Sequence, residues 1–167
     1  MLDQNPGLFH IVLFEPQIPQ NTGNVIRLSA NIGAFLHLIH PLGFDLSDKH
    51  LRRAGMDYRE LATVKEYASW EDFSRTGGSS RVFALSTKGC RCYADVAFHP
   101  GDALVFGPET RGLPLDLMES LGEAHRLYVP MVSGSRSLNL SNTVALVLYE
   151  AWRQCSFAGT ALRRSAR

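Results

Sequence analysis

Five short apolar runs set the frame of this chain: Leu8 to Phe14, Phe35 to Ile39, Arg81 to Leu85, Ala103 to Phe106 and Arg126 to Val129. Each gives way to a segment rich in glycine, proline, serine or charge, which is where a buried strand ends and a loop begins. After the first run, Glu15-Pro16 and a turn-rich stretch lead to Val25, Ile26, Ala30 and Ile32, the apolar positions of a helix that Gly33 closes. The spacing therefore predicts a strand, helix, strand unit. A polar helix is expected around Ser47 to Ala54, a weak strand at Thr63 to Tyr67, and a short helix from Ser69, which stands three residues ahead of Asp72 in a capping-box arrangement. Further helices are expected after Pro114 and over Leu140 to Arg153. Buried strands alternating with helices make an α/β domain with a mostly parallel sheet flanked by helices. A length of 167 residues suffices for one such domain and not for two.

In an open parallel sheet, ligands collect at the carboxyl ends of the strands, so the loops beginning at Ser86, Gly107 and Pro130 are the first candidates for a site. In Phe106-Gly107-Pro108-Glu109-Thr110-Arg111-Gly112-Leu113 the glycines fall where backbone turns sharply or approaches a ligand. No Gly-Lys-Ser/Thr follows Gly112 and the chain has no Gly-x-Gly-x-x-Gly, which sets aside a Walker-type ATPase and an ordinary dehydrogenase. The stretch Ser133 to Asn142 concentrates hydroxyls and amides just before the last helix. One of them is needed as a helix cap, and the others either meet solvent or hydrogen-bond a polar ligand. A nucleophilic serine is not indicated, since no Gly-x-Ser-x-Gly elbow is present. Near the start of the first helix, Asn21-Thr22-Gly23-Asn24 is followed by Arg27, a guanidinium suited either to phosphate or to a solvated helix face.

Charge and composition narrow the partners. Seventeen Lys and Arg against sixteen Asp and Glu leave +1, so nucleic acid would have to be met by a local patch such as Lys49, His50, Arg52, Arg53 and Arg59. Hydrophobic residues at 45% and charged residues at 20% fit a globular domain rather than a disordered one. The longest uninterrupted apolar stretch, Val144 to Tyr149, is far short of the ~18 residues of a membrane span, and Met1 to Pro6 does not begin a secretion signal. Three cysteines, Cys90, Cys92 and Cys155, are expected as reduced thiols in the cytoplasm, and Cys90 and Cys92 with His99 lack the spacing of a zinc site. The same Val144 to Tyr149 stretch makes the last helix apolar on nearly every face, so a second subunit is expected to cover part of it.

Together, Asn21-Thr22-Gly23-Asn24 with Arg27, then Gly107-Pro108-Glu109-Thr110-Arg111-Gly112, then Arg136-Ser137-Leu138-Asn139-Leu140-Ser141-Asn142 resemble the three ordered motifs of the SPOUT RNA methyltransferases. The resemblance runs from about His10 to Gln154, within a domain placed at residues 8–155 with short tails at 1–7 and 156–167. Within that superfamily, Glu15 to Asn21, Leu51 to Tyr58, Ala84 to Gly89 and Ala151 to Gln154 look like the small tRNA 2′-O-methyltransferases that act at wobble position 34.

The resemblance implies a deep trefoil knot at the C-terminal side, bound S-adenosylmethionine without a metal, a homodimer, and a cytoplasmic protein that methylates the position-34 ribose of a subset of tRNAs. By position, the cofactor pocket would use Leu85, Gly107, Val129, Met131, Ser137 and Leu138. Arg27 would come from the opposite subunit to the 2′-hydroxyl. Arginine is effectively always protonated, so its expected role is to stabilise oxyanion and phosphate rather than to act as a base. Asn21 and Glu109 would hold Arg27 and the ribose, while Ser137 and Asn139 shape the site between cofactor and acceptor. Lys49, Arg52 and Arg53 would grip phosphates of the anticodon stem-loop. A ribosomal RNA 2′-O-methyltransferase of the same fold, or a catalytically silent RNA-binding module, are the alternatives.

Overall fold

All the strand pairings in the sheet are parallel, and the order β3-β2-β1-β6-β4-β7-β5 places the first strand near its middle. These are β1 (His10–Phe14), β2 (Phe35–Ile39), β3 (Val64–Tyr67), β4 (Arg81–Leu85), β5 (Arg91–Cys92), β6 (Asp102–Phe106) and β7 (Arg126–Tyr128). The structure is a computed structural model that describes residues 8–46, 64–79 and 81–160. The helices are α1 (Pro19–Ile32), α2 (Trp70–Thr76), α3 (Leu115–Leu121) and α4 (Leu140–Gln154). The expected strands and helices are present where the residues are described. The helix expected over Ser47 to Ala54 lies outside them.

Each central strand is buried on both faces, which is why its sequence reads as a continuous apolar run. All five residues of β1 and of β6 are buried. Alternate side chains then feed two cores. Ile11, Leu13, Leu36, Leu38, Leu104 and Phe106 pack with Val25 and Ile26 of α1 and Val144, Val147 and Leu148 of α4. On the other face, Val12, Phe14, Ala84, Ala103 and Val105 pack with Phe73 of α2 and Leu117 and Met118 of α3. Burying a Val, Leu or Phe side chain is worth roughly 1.5–3 kcal/mol, so these two layers hold the sheet between its helices.

Local signals set the ends of the elements. Gly33 takes a left-handed φ of 73° and its amide donates to Ser29 O, closing α1. The Ser69 hydroxyl accepts from the Asp72 amide at 3.3 Å to cap α2. At the amino-terminal ends of β4 and β6, Arg81 grips the fully buried Asp102 at 2.8 and 2.6 Å, and the His99 amide adds a third bond at 2.8 Å. This satisfied carboxylate lets β6 begin one residue earlier than the apolar run suggests.

Within the sheet, the buried His10 and His37 place Nδ1 and Nε2 2.9 Å apart, and His37 Nδ1 lies 3.0 Å from the Tyr67 hydroxyl. One polar chain therefore crosses β1, β2 and β3 with neutral rings. Burial, then the neighbouring His10 and Lys65, push His37 down to about 3; burial and Lys65 lower His10 as well. A histidine that stays neutral when folded and takes a proton near pH 6.5 when unfolded contributes stability that is complete above that pH. It is lost as pH falls toward 3. Urea denaturation should therefore show stability falling by up to about 1.4 kcal/mol per pH unit for His37 below pH 6. The His37→Gln variant should be less stable at pH 7 and show a shallower slope; an unchanged slope would assign the acid sensitivity elsewhere.

Candidate active site

The chain runs outward through β1, β2 and β3, then returns to the other side of β1, so β1 and β6 meet where the direction of winding reverses. At such a point the loops that follow neighbouring strands diverge and leave a crevice. A cleft of about 530 Å³ opens there, between the segments after β6, β4 and β7 and the starts of α1 and α4. Leu85, Phe106, Leu113 and Val129 supply apolar walls, and Ser86, Ser137 and Thr143 supply hydroxyls. Of the residues expected in the site, Asn21, Leu85, Gly107, Glu109, Val129, Met131, Ser137, Leu138 and Asn139 all line this one cleft.

Glu109 binds the three motifs into one unit. Its Oε2 accepts the Gln17 amide at 2.9 Å, and its Oε1 accepts the Ile18 amide at 3.2 Å and Asn21 Nδ2 at 3.1 Å. The residue preceding α1 is Ile18, which has no side-chain acceptor, so a carboxylate from the β6 loop supplies the negative charge at this helix start. Asn21 Oδ1 in turn accepts Asn139 Nδ2 at 3.0 Å. The remaining atom of Asn139, Oδ1, caps α4 by accepting the Ser141 amide at 2.9 Å, the Ser141 hydroxyl at 2.7 Å and the Asn142 amide at 3.4 Å. Two helix starts and the loop between β6 and α3 are thus tied through the side chains of Glu109, Asn21 and Asn139.

The Gly107 loop owes its glycine to space. A Cβ on Gly107 would lie 2.4 Å from the Leu113 amide nitrogen and 2.5 Å from the Gly112 carbonyl carbon, both rigid backbone, whereas Gly112 itself takes the left-handed φ of 72°. At the mouth, Arg111 forms an ion pair with Glu15, joining this loop to the segment between β1 and α1.

Other expected residues are placed differently. Arg27 is exposed on α1 and is not among the residues lining the cleft. Six helical residues turn through about 600°, leaving it about 120° around the helix from Asn21. Lys49, Arg52 and Arg53 lie outside the described residues. Among the described residues no three His, Cys, Asp or Glu side chains form a metal-binding group, and no helix is long and apolar enough to cross a membrane. The last helix is covered on one side by its own chain, yet Leu146 and Tyr149 are 40% and 44% exposed. The loop beginning at Ser86 does line the cleft, whereas no role was assigned from sequence to Lys88 or Thr143, or to the Glu15–Arg111 pair, whose partners are 96 residues apart.

Comparison with known proteins agrees with this geometry. The profile of the SpoU rRNA Methylase family matches residues 8–149. The chain is 54% identical to the tRNA (cytidine(34)-2′-O)-methyltransferase of Saccharophagus degradans over 92% of its own length and 99% of that protein. It is similar, with a TM-score of 0.80 and 44% identity over 91% of this chain and 99% of the other, to a solved structure described in terms of 2-OH methylation of C/U34 on tRNA. An AdoMet-bound rRNA methyltransferase from Sinorhizobium meliloti superposes with a TM-score of 0.77 and 26% identity, over 90% of this chain and 57% of that one.

Asn139→Ala removes the α4 cap and the bond to Asn21 together, and should lower stability by about 1–2 kcal/mol in urea denaturation. Asn139→Asp keeps the capping oxygen and loses the donor to Asn21, so it should recover only part of the loss. Equal stability of the aspartate variant and the natural chain would show that the Asn21 link is worth little.

Proposed function

The chain belongs to the SpoU rRNA methylase family, and from that premise we infer that it is an S-adenosylmethionine-dependent 2′-O-methyltransferase of the position-34 ribose in a subset of tRNAs. The observation that carries the reading is the cleft at the switch point, into which residues of three separated motifs converge. Its volume falls in the range of small-molecule sites, and its composition fits the cofactor: apolar walls at Leu85, Phe106 and Val129 for an adenine ring, with hydroxyl and backbone groups at its edge. The cofactor supplies an electrophilic methyl group on a sulfonium. The protein's task is to hold a ribose hydroxyl in line with it and to steady charge as the proton leaves.

In this reading Ser137 and Leu138 form the wall between cofactor and acceptor, and Met131 borders the same space. Asn21, Glu109 and Asn139 act by fixing the loops and helix starts around them, which refines the expectation that Asn21 and Glu109 hold Arg27 and the ribose. Arg27 stabilises the developing oxyanion and the adjacent phosphate, and it reaches the cleft of a second copy in a homodimer. Lys49, Arg52 and Arg53 hold phosphates of the anticodon stem-loop, which gives binding a strong salt dependence despite the near-neutral net charge. The enzyme works in the cytoplasm, and the C-terminal trefoil knot implied by the motifs is part of the same reading.

Nucleoside mass spectrometry of tRNA incubated with the protein and S-adenosylmethionine should find one added methyl on the ribose of nucleotide 34. Methylation of a base or of another ribose would overturn the substrate assignment. Arg27→Ala should lower kcat by roughly 10²–10³ with cofactor binding intact. Gly107→Ala should weaken cofactor binding by roughly tenfold or more, because the loop must shift to admit the methyl group. At cofactor concentrations too low to load the Gly107→Ala chain, verified heterodimers of these two variants should regain activity at one site, the one pairing the intact Gly107 loop with the intact Arg27. Failure to regain it would place both residues of each site in one chain.

A further inference from the structure

Of the residues lining the cleft, the charged ones are Lys88, Glu109 and Arg111. Glu109 is taken up by the Gln17 and Ile18 amides and Asn21, and Arg111 is paired with Glu15. Lys88 forms no ion pair among the described residues and is exposed. The cleft therefore presents one cation that has no acidic partner among the described residues, on the same short segment as Leu85, Ser86 and Thr87 of its wall, while Glu109 keeps its negative charge on neutral donors at the α1 side.

The backbone beneath that charge is fixed. The Ser86 amide donates to Leu127 O at 2.9 Å and the Cys90 amide to Arg126 O at 2.8 Å, which fastens both ends of the turn to β7. Inside it, the Lys88 amide donates to the Ser86 hydroxyl at 3.1 Å and the Gly89 amide to Ser86 O at 3.0 Å. A Cβ on Gly89 would lie 2.3 Å from the Leu127 carbonyl, so the turn presses directly on the strand. A cation carried on a pinned turn loses only side-chain freedom when it binds an anion.

We propose that Lys88 binds the carboxylate of the cofactor's amino-acid tail and thereby sets how the adenosyl thioether lies in the cleft. The assignment rests on the cofactor reading above. A sulfonium donor brings one carboxylate into a cleft whose own carboxylate is engaged by donors, and Lys88 is the lining cation not already paired with an acid. A phosphate of the RNA is the competing anion, and the test separates the two.

S-adenosylhomocysteine and 5′-methylthioadenosine share the adenosyl thioether, and only the first carries the amino-acid tail. Calorimetry should show that Lys88→Met weakens S-adenosylhomocysteine by roughly five- to tenfold and leaves 5′-methylthioadenosine within about twofold. Lys88→Arg should restore most of the loss. Equal weakening of both ligands would overturn the proposal, as would unchanged S-adenosylhomocysteine binding with weaker binding of an anticodon stem-loop RNA, which would make Lys88 a phosphate contact. No binding of S-adenosylhomocysteine by the natural chain would overturn the cofactor reading itself, a result distinct from either.

Discussion

A carboxylate placed at the start of another element is the constraint on which this structure turns. Glu109 follows β6, yet its oxygens satisfy the two amides that lead into α1 and the side chain of Asn21. Without it, the part-buried Gln17 amide and Asn21 side chain would lose their partner, and the exposed Ile18 amide would turn to water. With it, the entry of α1, the β6 loop and, through Asn21 and Asn139, the start of α4 become one hydrogen-bonded body. The cleft walls are consequently fixed relative to one another before any ligand arrives, the condition under which positioning can lower a barrier.

The two ends of the sheet divide the work. At the amino-terminal end, the half-exposed Arg81 and the His99 amide satisfy the buried Asp102 carboxylate, which ties β4 to β6. At the carboxyl end, groups are satisfied in part and directed toward open space. That asymmetry follows from parallel strands: all carboxyl ends lie on one side, so the diverging loops share one crevice. The His10, His37 and Tyr67 chain belongs to neither end. It joins three strands through neutral rings in the interior, where a protonated imidazole would be costly.

Strands were the most legible part of this sequence because burial on both faces leaves a continuous apolar run, and β2 falls on Phe35 to Ile39 as its run does. Helix limits were legible where one residue decides them, as at Gly33 and Ser69. The two-residue β5 was not, because Arg91 and Cys92 are held by pairing with β7 and carry no pattern of their own. The site was legible as a set of loops, since chemistry-bearing residues cluster after three apolar runs. Its internal wiring was not. Glu109 and Asn21 are 88 residues apart, and only the fold shows that the carboxylate faces a helix start. Gly107 illustrates the same limit: its glycine is required by the nearby Gly112 and Leu113 backbone and not by a positive φ.

Helical geometry also bears on how many chains a site needs. Asn21 is fixed toward its own cleft by Glu109 and Asn139, and Arg27 lies about 120° further round α1 and about 9 Å along it. The two side chains therefore leave the helix in different directions, and Arg27 is not among the residues that line its own cleft. In the proposed dimer, an Arg27 that acts on a ribose would do so in the cleft of the second copy. The exposed row of α4 offers a surface for that encounter: Asn142, Leu146, Tyr149 and Arg153 recur at helical spacing, with two large apolar side chains at its centre. Met131 and Leu138, which border the cleft, are exposed apolar residues as well. In the proposed dimer the second copy would supply Arg27, so an isolated chain would retain its pocket and lack that cation.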